Sequence, residues 1–126
     1  AAGLKMQDII HFFSNYITEK YGVTPGLCTL NSSLIMNYLN DINIKNPLLM
    51  APFNPSGFQM NPSRESAEKE LIKYPSRMIA MSILAAGYIK PKEAYQYLSN
   101  LSGIRSVIVG ASSEDHLKEI FAVFNL

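Results

Sequence analysis

The stretch RMIAMSIL at residues 77–84, followed by Ala85-Ala86-Gly87, is the part of the sequence that most clearly indicates the fold. It is a continuous apolar run with one charge, at Arg77, and it ends in small residues that favour a turn. A short apolar run bounded by turn residues is typical of a buried β-strand. We therefore predict a strand over residues 77–84 that the small residues terminate.

Helical and strand patterns alternate on both sides of this stretch. Apolar residues at helical spacing predict a first helix over residues 4–21, through Met6, Ile9, Ile10, Phe13 and Ile17. Short apolar runs predict further strands over residues 26–30, 48–51 and 106–109, the second ended by Pro52. Cap and stop residues predict helices over residues 32–39, 63–73, 91–101 and from about 113 to 124. The order is therefore α-β-α-β-α-β-α-β-α.

Caps and apolar stripes define the ends and buried faces of these helices. Asn31 is a predicted N-cap, and Asn61 followed by Pro62 predicts another helix start. Ser112 or Ser113 is expected to cap the last helix. The predicted buried stripes of the last two helices are Ala94, Tyr95, Leu98 and Leu101, then Leu117, Ile120, Phe121 and Phe124.

Strands that alternate with helices through short connections predict an α/β fold with a parallel, sequentially ordered sheet and helices on one side. Four strands are half of an eight-stranded (β/α)8 TIM barrel, and such a barrel needs about 250 residues. This chain has 126 residues. We therefore expect residues 1–126 to be one (βα)4 half-barrel unit of a longer barrel chain.

Composition excludes several classes of function. Eleven Lys and Arg residues against ten Asp and Glu residues give a net charge of +1, which argues against a nucleic-acid interface. The longest nearly uncharged apolar stretch, residues 78–89, is shorter than the roughly 20 residues of a membrane-spanning helix. The single cysteine, Cys28, excludes an internal disulfide and is expected to be a small buried hydrophobe. A cytoplasmic setting is the default expectation.

Two segments resemble aldo/keto-reductase-like barrels. The segment SVIVGASSEDHL at residues 106–117 resembles their last strand, loop and helix start, and AMSILAAG at residues 80–87 resembles the preceding strand and its turn. The resemblance implies that these are the seventh and eighth strands and that the chain is the C-terminal half of a barrel. The reductases' catalytic Asp, Tyr, Lys and His lie in their first half, so the resemblance assigns no catalytic residue here. A nicotinamide cofactor, NAD(P), is implied only for the full-length protein.

The turns after these two strands are the predicted ligand site. In the resembling barrels they hold a phosphate or the phosphates of a cofactor. Glycine permits close backbone approach, and the N-terminus of the following helix favours an anion. The predicted ligand- or phosphate-binding residues are Gly87, Gly110, Ala111, Ser112 and Ser113. The helix start carries Glu114 and Asp115 where NADP-preferring reductases place basic residues, so binding of an anion is expected to be weak.

The long loop after the second strand is expected to form a wall over the strand ends. Its candidate polar contacts are Asn54, Gln59 and Asn61. His11 and His116 fall on predicted helices and are expected at the surface, so no metal site is predicted. Amides, hydroxyls and backbone N–H groups can hold a ligand, but this half lacks a predicted catalytic acid or base.

Two other architectures remain open from the sequence. A self-standing half-barrel is expected to associate with itself through its sheet edges or inner face, since two copies supply eight strands. A doubly wound, flavodoxin-like domain is the other, and it requires a strand order that reverses midway.

Overall fold

The computed structural model describes the backbone of residues 2–125 and the side chains of residues 8–125, and in this part of the chain five α-helices alternate with four β-strands. No helix within these bounds is long and apolar enough to cross a membrane. The elements are α1 Ala2–Tyr21, β1 Gly26–Cys28, α2 Ser32–Asp41, β2 Leu48–Pro52, α3 Arg64–Lys73, β3 Arg77–Met81, α4 Pro91–Ser99, β4 Ile104–Val107 and α5 Glu114–Phe124.

The four strands form one sheet in the order β1-β2-β3-β4, and every neighbouring pair is parallel. Leu27 lies opposite Leu49, Leu49 opposite Met78, and Met78 opposite Ile104. The prediction of a sequential parallel sheet is confirmed. The order does not reverse, which excludes the doubly wound alternative. The arrangement is consistent with half of an eight-stranded barrel.

The two faces of the sheet differ sharply in burial. Leu49, Ala51, Met78 and Ala80 point to one face and have no exposed surface. That face is covered by the helices, because right-handed crossovers in a sequential sheet place all connecting helices on the same side. The residues that alternate with them define the open face. Cys28, Met50, Ile79, Met81, Ser106 and, directly after β4, Ile108 are half-buried or exposed there, while Pro52 at the end of β2 is buried. Cys28 is therefore exposed, and its prediction as a buried residue is wrong.

Pro52 is paired in β2, although proline was expected to end the strand near Ala51. The Phe53 N–H donates to Met81 O at 3.2 Å, so the alternate residue Pro52 directs its backbone nitrogen to the opposite side, toward β1. An N–H at position 52 would need an acceptor on the residue that follows Cys28, and strand β1 has already ended at Cys28. The missing N–H therefore breaks no ladder bond.

Several other element ends differ from the sequence-based expectations, since β1 ends at Cys28 rather than at residue 30 and β4 is Ile104–Val107 rather than residues 106–109. Two further differences have a local cause. Strand β3 ends at Met81 rather than at residue 84, because the chain turns away through Ser82 into a 3₁₀ turn over Ala85–Gly87. Helix α3 begins after Ser63, whose hydroxyl accepts from Ser66 N at 3.1 Å, so Ser63 rather than Asn61 is its N-cap. The side chains of Asn61 and Ser63 can both cap a helix, and only the folded geometry decides which of the two is used.

Apolar residues of the outermost helices are left uncovered. On α1, Ile10 is buried as predicted, but Ile9 and Phe13 are exposed, and Met6 lies outside the residues whose side chains are described. On α5, Ile120 is buried while Leu117 and Phe121 are exposed. Tyr95 of α4, also predicted to be buried, is exposed as well. The helical spacing predicted one buried residue on each of α1 and α5 correctly, and the side chains beside it are exposed in the described structure.

Tyr97 of α4 is the described group whose pKa departs most clearly from its usual range. Burial raises the pKa of its phenol, and so does the hydrogen bond that its hydroxyl donates to Glu68 Oε1 at 2.7 Å. A raised pKa means that its contribution to stability is complete below about pH 10, the unfolded pKa, and is lost as the pH rises above that value.

Tyr97→Phe is therefore expected to lower the free energy of unfolding by about 1 kcal/mol at pH 7. The variant should also lose less stability than the unsubstituted protein between pH 9 and pH 11, because it no longer has a phenol to ionise. Urea unfolding at several pH values measures both effects, with Tyr95→Phe on the same helix as the control. If Tyr97→Phe and the unsubstituted protein lost the same stability above pH 9, the assignment of a raised pKa to Tyr97 would be contradicted.

Candidate functional site

An open cleft of about 660 Å³ lies at the carboxyl ends of β3 and β4. Three connections and one helix form its walls. The β2–α3 loop contributes Phe58 and Gln59, and α5 contributes His116. The β3–α4 turn and the β4–α5 loop supply the remaining lining residues, which are Ser82, Ile83, Leu84, Ala86, Gly87, Ile108, Val109, Gly110, Ala111 and Ser112.

The β4–α5 loop, which lines this cleft, contains backbone donors without a backbone partner. The N–H groups of Gly110, Ala111 and Ser112 make no backbone hydrogen bond within the described residues. The loop leads into the N-terminus of α5, where Ser113 is the N-cap and its hydroxyl accepts from His116 N at 3.2 Å. Free N–H groups and the helix dipole together favour an anionic or carbonyl group at this end of the cleft.

The β3–α4 turn forms the opposite wall, and several of its residues adopt a left-handed backbone conformation. Ser82, Ala85, Ala86 and Gly87 all have positive φ, at 52°, 45°, 57° and 91°. For residues other than glycine this conformation costs on the order of 1–2 kcal/mol each, and such outliers cluster at functional sites. The strained segment therefore lies at the cleft, where a functional site is expected.

The Gly87 N–H is not one of the free donors. It donates to Leu84 O at 2.8 Å and closes the 3₁₀ turn. With a φ of 91° and open space where a Cβ would lie, Gly87 shapes the wall rather than contacting a ligand through its N–H. The turn contributes surface and curvature, and hydrogen-bond donors come from the other wall.

Asn54 holds the β2–α3 loop against the end of β3. Its side chain is completely buried, and Nδ2 donates to Phe58 O at 2.9 Å and to Ser82 O at 3.1 Å. Its Oδ1 accepts from Phe58 N at 2.8 Å and from Ser56 Oγ at 2.9 Å. All four hydrogen-bonding positions of the amide are thus occupied within the protein. Asn54 fixes the loop that carries Phe58 and Gln59.

Gln59 is the polar residue of that loop that reaches the cleft. Its Oε1 accepts from Ser82 Oγ at 3.1 Å, and this bond links the loop to the β3–α4 turn across the rim. With the carbonyl oxygen engaged, the amide nitrogen remains as a donor.

The structure brings together most, but not all, of the residues proposed from the sequence. Gly87, Gly110, Ala111, Ser112 and Gln59 line the cleft. The other three lie outside its lining: Ser113 caps α5, Asn54 is internally bonded, and the Asn61 N–H donates to Leu30 O at 3.0 Å.

His116 is a lining residue that sequence reasoning missed. It is half-buried in the first turn of α5, three residues after the cap. A residue at that position lies over the start of its helix, and the start of α5 faces the cleft. The position of His116 three residues after the cap could have identified it from the sequence. That inference requires the cap to be Ser113 rather than Ser112.

The groups that line this cleft are mainly hydrogen-bond donors and acceptors and apolar surface. His116 is the one lining residue with an ionisable side chain, and the lining contains none of Lys, Arg, Asp or Glu. The part of the chain with described side chains holds no cluster of three His, Cys, Asp or Glu residues that could bind a metal ion. The cleft offers backbone donors, two hydroxyls, an amide, an imidazole and an apolar surface around Phe58 and Ile108.

Comparison with known proteins gives no further guide to this site. No family model matches the chain, and no curated protein or solved structure matches it significantly.

Proposed function

We propose that this chain is half of a (β/α)8 barrel and that its cleft positions a small ligand through an anionic group, with phosphate as the simplest example. The ligand's anion would lie against the free N–H groups of Gly110, Ala111 and Ser112. The Ser112 hydroxyl and the His116 imidazole would add side-chain hydrogen bonds. Groups that act chemically on the ligand would come from outside this half.

The observation that carries the proposal is the location of the unused donors. Ligand sites of (β/α)8 barrels lie at the carboxyl ends of the strands, and phosphate is commonly held after the last two strands. The unbonded N–H groups occur after β4, in the same cleft as the left-handed turn after β3. The apolar surface of Phe58 and Ile108 suits the uncharged part of such a ligand.

Electrostatics limit the affinity. No cationic Lys or Arg side chain lines the cleft, and Glu114 and Asp115 lie in the first turn of α5. The Glu114 carboxylate is paired with Lys118 Nζ at 2.8 Å, so part of its repulsion is offset. We expect inorganic phosphate to bind with a dissociation constant in the range of about 1 mM or weaker, which corresponds to roughly −4 kcal/mol.

Titration of the ¹⁵N-labelled chain with phosphate, followed by NMR, tests the site. Amide shifts should be largest at Gly110, Ala111 and Ser112 and absent at Gly103, which precedes β4 at the other end of the sheet. Shifts that cluster elsewhere, or none with several millimolar phosphate, would reject the proposal. A chloride titration at matched ionic strength separates specific binding from screening.

Two variants test the side-chain donors. Ser112→Ala and His116→Asn are each expected to weaken phosphate binding by about threefold to tenfold, the effect of removing one hydrogen bond. Ser102→Ala and His11→Asn are the matched controls, since Ser102 is exposed before β4 and His11 is exposed on α1. Equal weakening in a variant and its control would exclude a role for that side chain.

A further inference from the structure

A second cavity, with a volume of about 250 Å³, lies at the amino ends of the strands. Its walls come from about one turn of α1, from the α1–β1 connection, from the segment that leads into β2, and from Arg77 at the start of β3. Because the amino ends of parallel strands meet at one edge of the sheet, these segments converge there. The cavity therefore lies at the end of the sheet opposite the cleft after β3 and β4.

Two cationic side chains, Lys45 and Arg77, line this cavity. The Arg77 N–H donates to Pro47 O at 2.8 Å, and Arg77 Nε donates to Asn46 O at 3.1 Å. Both acceptors lie within two residues of Lys45 along the chain. The hydrogen bonds therefore hold the Arg77 guanidinium beside the segment that carries Lys45, and both positive charges belong to the same cavity.

Neither charge is neutralised by a carboxylate of the described chain. The lining contains no Asp or Glu, and the ion pairs among the side chains of residues 8–125 involve Arg64 and Lys118 instead. With Nε engaged, the Nη1 and Nη2 donors of Arg77 have no protein partner in this part of the chain. A guanidinium with free donors beside an ammonium group suits a carboxylate, which accepts through two oxygens.

The rest of the lining is mainly apolar. Leu39 is buried, and Leu27, Ile44 and Pro47 are half-buried. Sites for drug-sized ligands enclose roughly 300–1,000 Å³, so a cavity of about 250 Å³ suits a smaller molecule with one ring or a short chain. An inorganic anion would use only the charged side of this cavity.

We propose that this cavity binds a small organic carboxylate with an apolar body. The carboxylate would lie against Lys45 and Arg77, and the apolar body would replace water on Leu27, Leu39 and Ile44. Because both cations are exposed, screening by salt limits the attraction, so the charged and the apolar parts of the ligand are both needed. This site is independent of the barrel and of the phosphate-binding cleft proposed above.

A ligand in this cavity would also join α1 to the strand starts. Within residues 8–21, α1 has a single buried side chain, Ile10, so its own contacts hold it weakly. His11, Ser14 and Asn15 of this helix line the cavity. A ligand that binds only while α1 is docked stabilises the docked helix. Hydrogen exchange of α1 amides through undocking is therefore expected to slow about tenfold when the ligand concentration is about ten times its dissociation constant.

Benzoate is the probe, because it carries one carboxylate on one ring. In the ¹⁵N-labelled full chain, benzoate is expected to shift the amides of Thr24, Lys45 and Arg77 with a dissociation constant of about 10 mM or tighter. Acetate lacks the ring and benzyl alcohol lacks the charge, so each is expected to bind there at least about fivefold more weakly. Residue-resolved shifts keep this site separate from any shifts at Gly110–Ser112.

Charge-removing variants test the two cations. Lys45→Gln and Arg77→Gln are each expected to weaken benzoate binding at least about threefold. Lys92→Gln and Arg105→Gln are the matched controls, since both side chains are exposed and lie outside the lining. Because Lys45 is exposed and forms no ion pair within residues 8–125, Lys45→Gln is expected to fold normally and tests the charge even where Arg77→Gln does not fold.

Each outcome bears on the proposal. Benzoate shifts at Lys45 and Arg77 that need both the ring and the carboxylate, and that weaken in the two variants alone, support it. No shift at these residues with about 50 mM benzoate overturns it. Equal binding of benzyl alcohol or acetate, or equal weakening in the variants and their controls, overturns it too. Unchanged exchange of the α1 amides at saturating benzoate would place the ligand away from the helix and overturn the assignment of the cavity.

Discussion

Asn54→Ala is expected to lower the free energy of unfolding by about 3 kcal/mol, since each buried polar group that loses its partner costs roughly 1–3 kcal/mol. The substitution leaves the Phe58 N–H and the Phe58 carbonyl without their partner and removes one of the bonds to Ser82 O. Thermal unfolding followed by circular dichroism should show a midpoint lower by roughly 10 °C for a chain of this size. Asn100→Ala, at an exposed helix end, should change stability by less than about 0.5 kcal/mol.

Asn54→Asp separates the loss of donors from the loss of volume. The side chain keeps its size, but a carboxylate oxygen replaces the Nδ2 donor and faces the carbonyl oxygens of Phe58 and Ser82. Burial raises the pKa of a carboxyl group, so stability is lost as the pH rises from the unfolded value through the folded one. The aspartate variant should therefore be less stable at pH 8 than at pH 5. A stability that is equal at both pH values would mean that the site is hydrated and that Asn54 does not fix the loop.

Gly110→Val is expected to reduce phosphate binding at least tenfold while the fold is retained. A Cβ at Gly110 meets no atom within 4 Å, and its φ is not in the left-handed region, so the backbone accepts a side chain. The added isopropyl group would lie in the cleft, where it blocks close approach to the N–H groups of the loop.

The same NMR titration measures this effect, and circular dichroism checks the fold. Ser102→Val adds a similar side chain at the amino end of β4 and should leave phosphate binding unchanged. Unaltered binding in Gly110→Val would show that the ligand does not use the Gly110–Ser112 backbone.

The order of the helices and strands could be predicted because each element depends on a short-range pattern in the sequence. Apolar runs and helical spacing specify element type, and short connections between alternating strands and helices allow a parallel sheet. The end of β3 could not be predicted in this way. Ile83 and Leu84 continue the apolar run of β3, yet they belong to a turn because Ser82 adopts a left-handed conformation that no residue type there requires.

In the candidate site, too, some features could be predicted from the sequence and others could not. Gly110, Ala111 and Ser112 could be proposed because a glycine after a strand and a serine before a helix have local consequences. Asn54 was expected to contact a ligand, but its partners include Ser82, which is 28 positions away along the chain. Such a partner becomes visible only when β2 and β3 lie side by side. The helical spacing of apolar residues on α1 and α5 was identified from the sequence, but which of these residues are buried depends on tertiary contacts that the spacing does not specify.

The short first strand also bears on aggregation. An exposed edge strand is a template onto which other chains can add and extend into fibrils. Strand β1 offers only three residues, Gly26–Cys28, directly after Pro25, and Pro52 provides no N–H donor to pair a longer β1. Strand β4 is limited differently, since the register shift opposite Met78 and Ile79 interrupts its pairing. Both edges are therefore poor templates for indefinite growth.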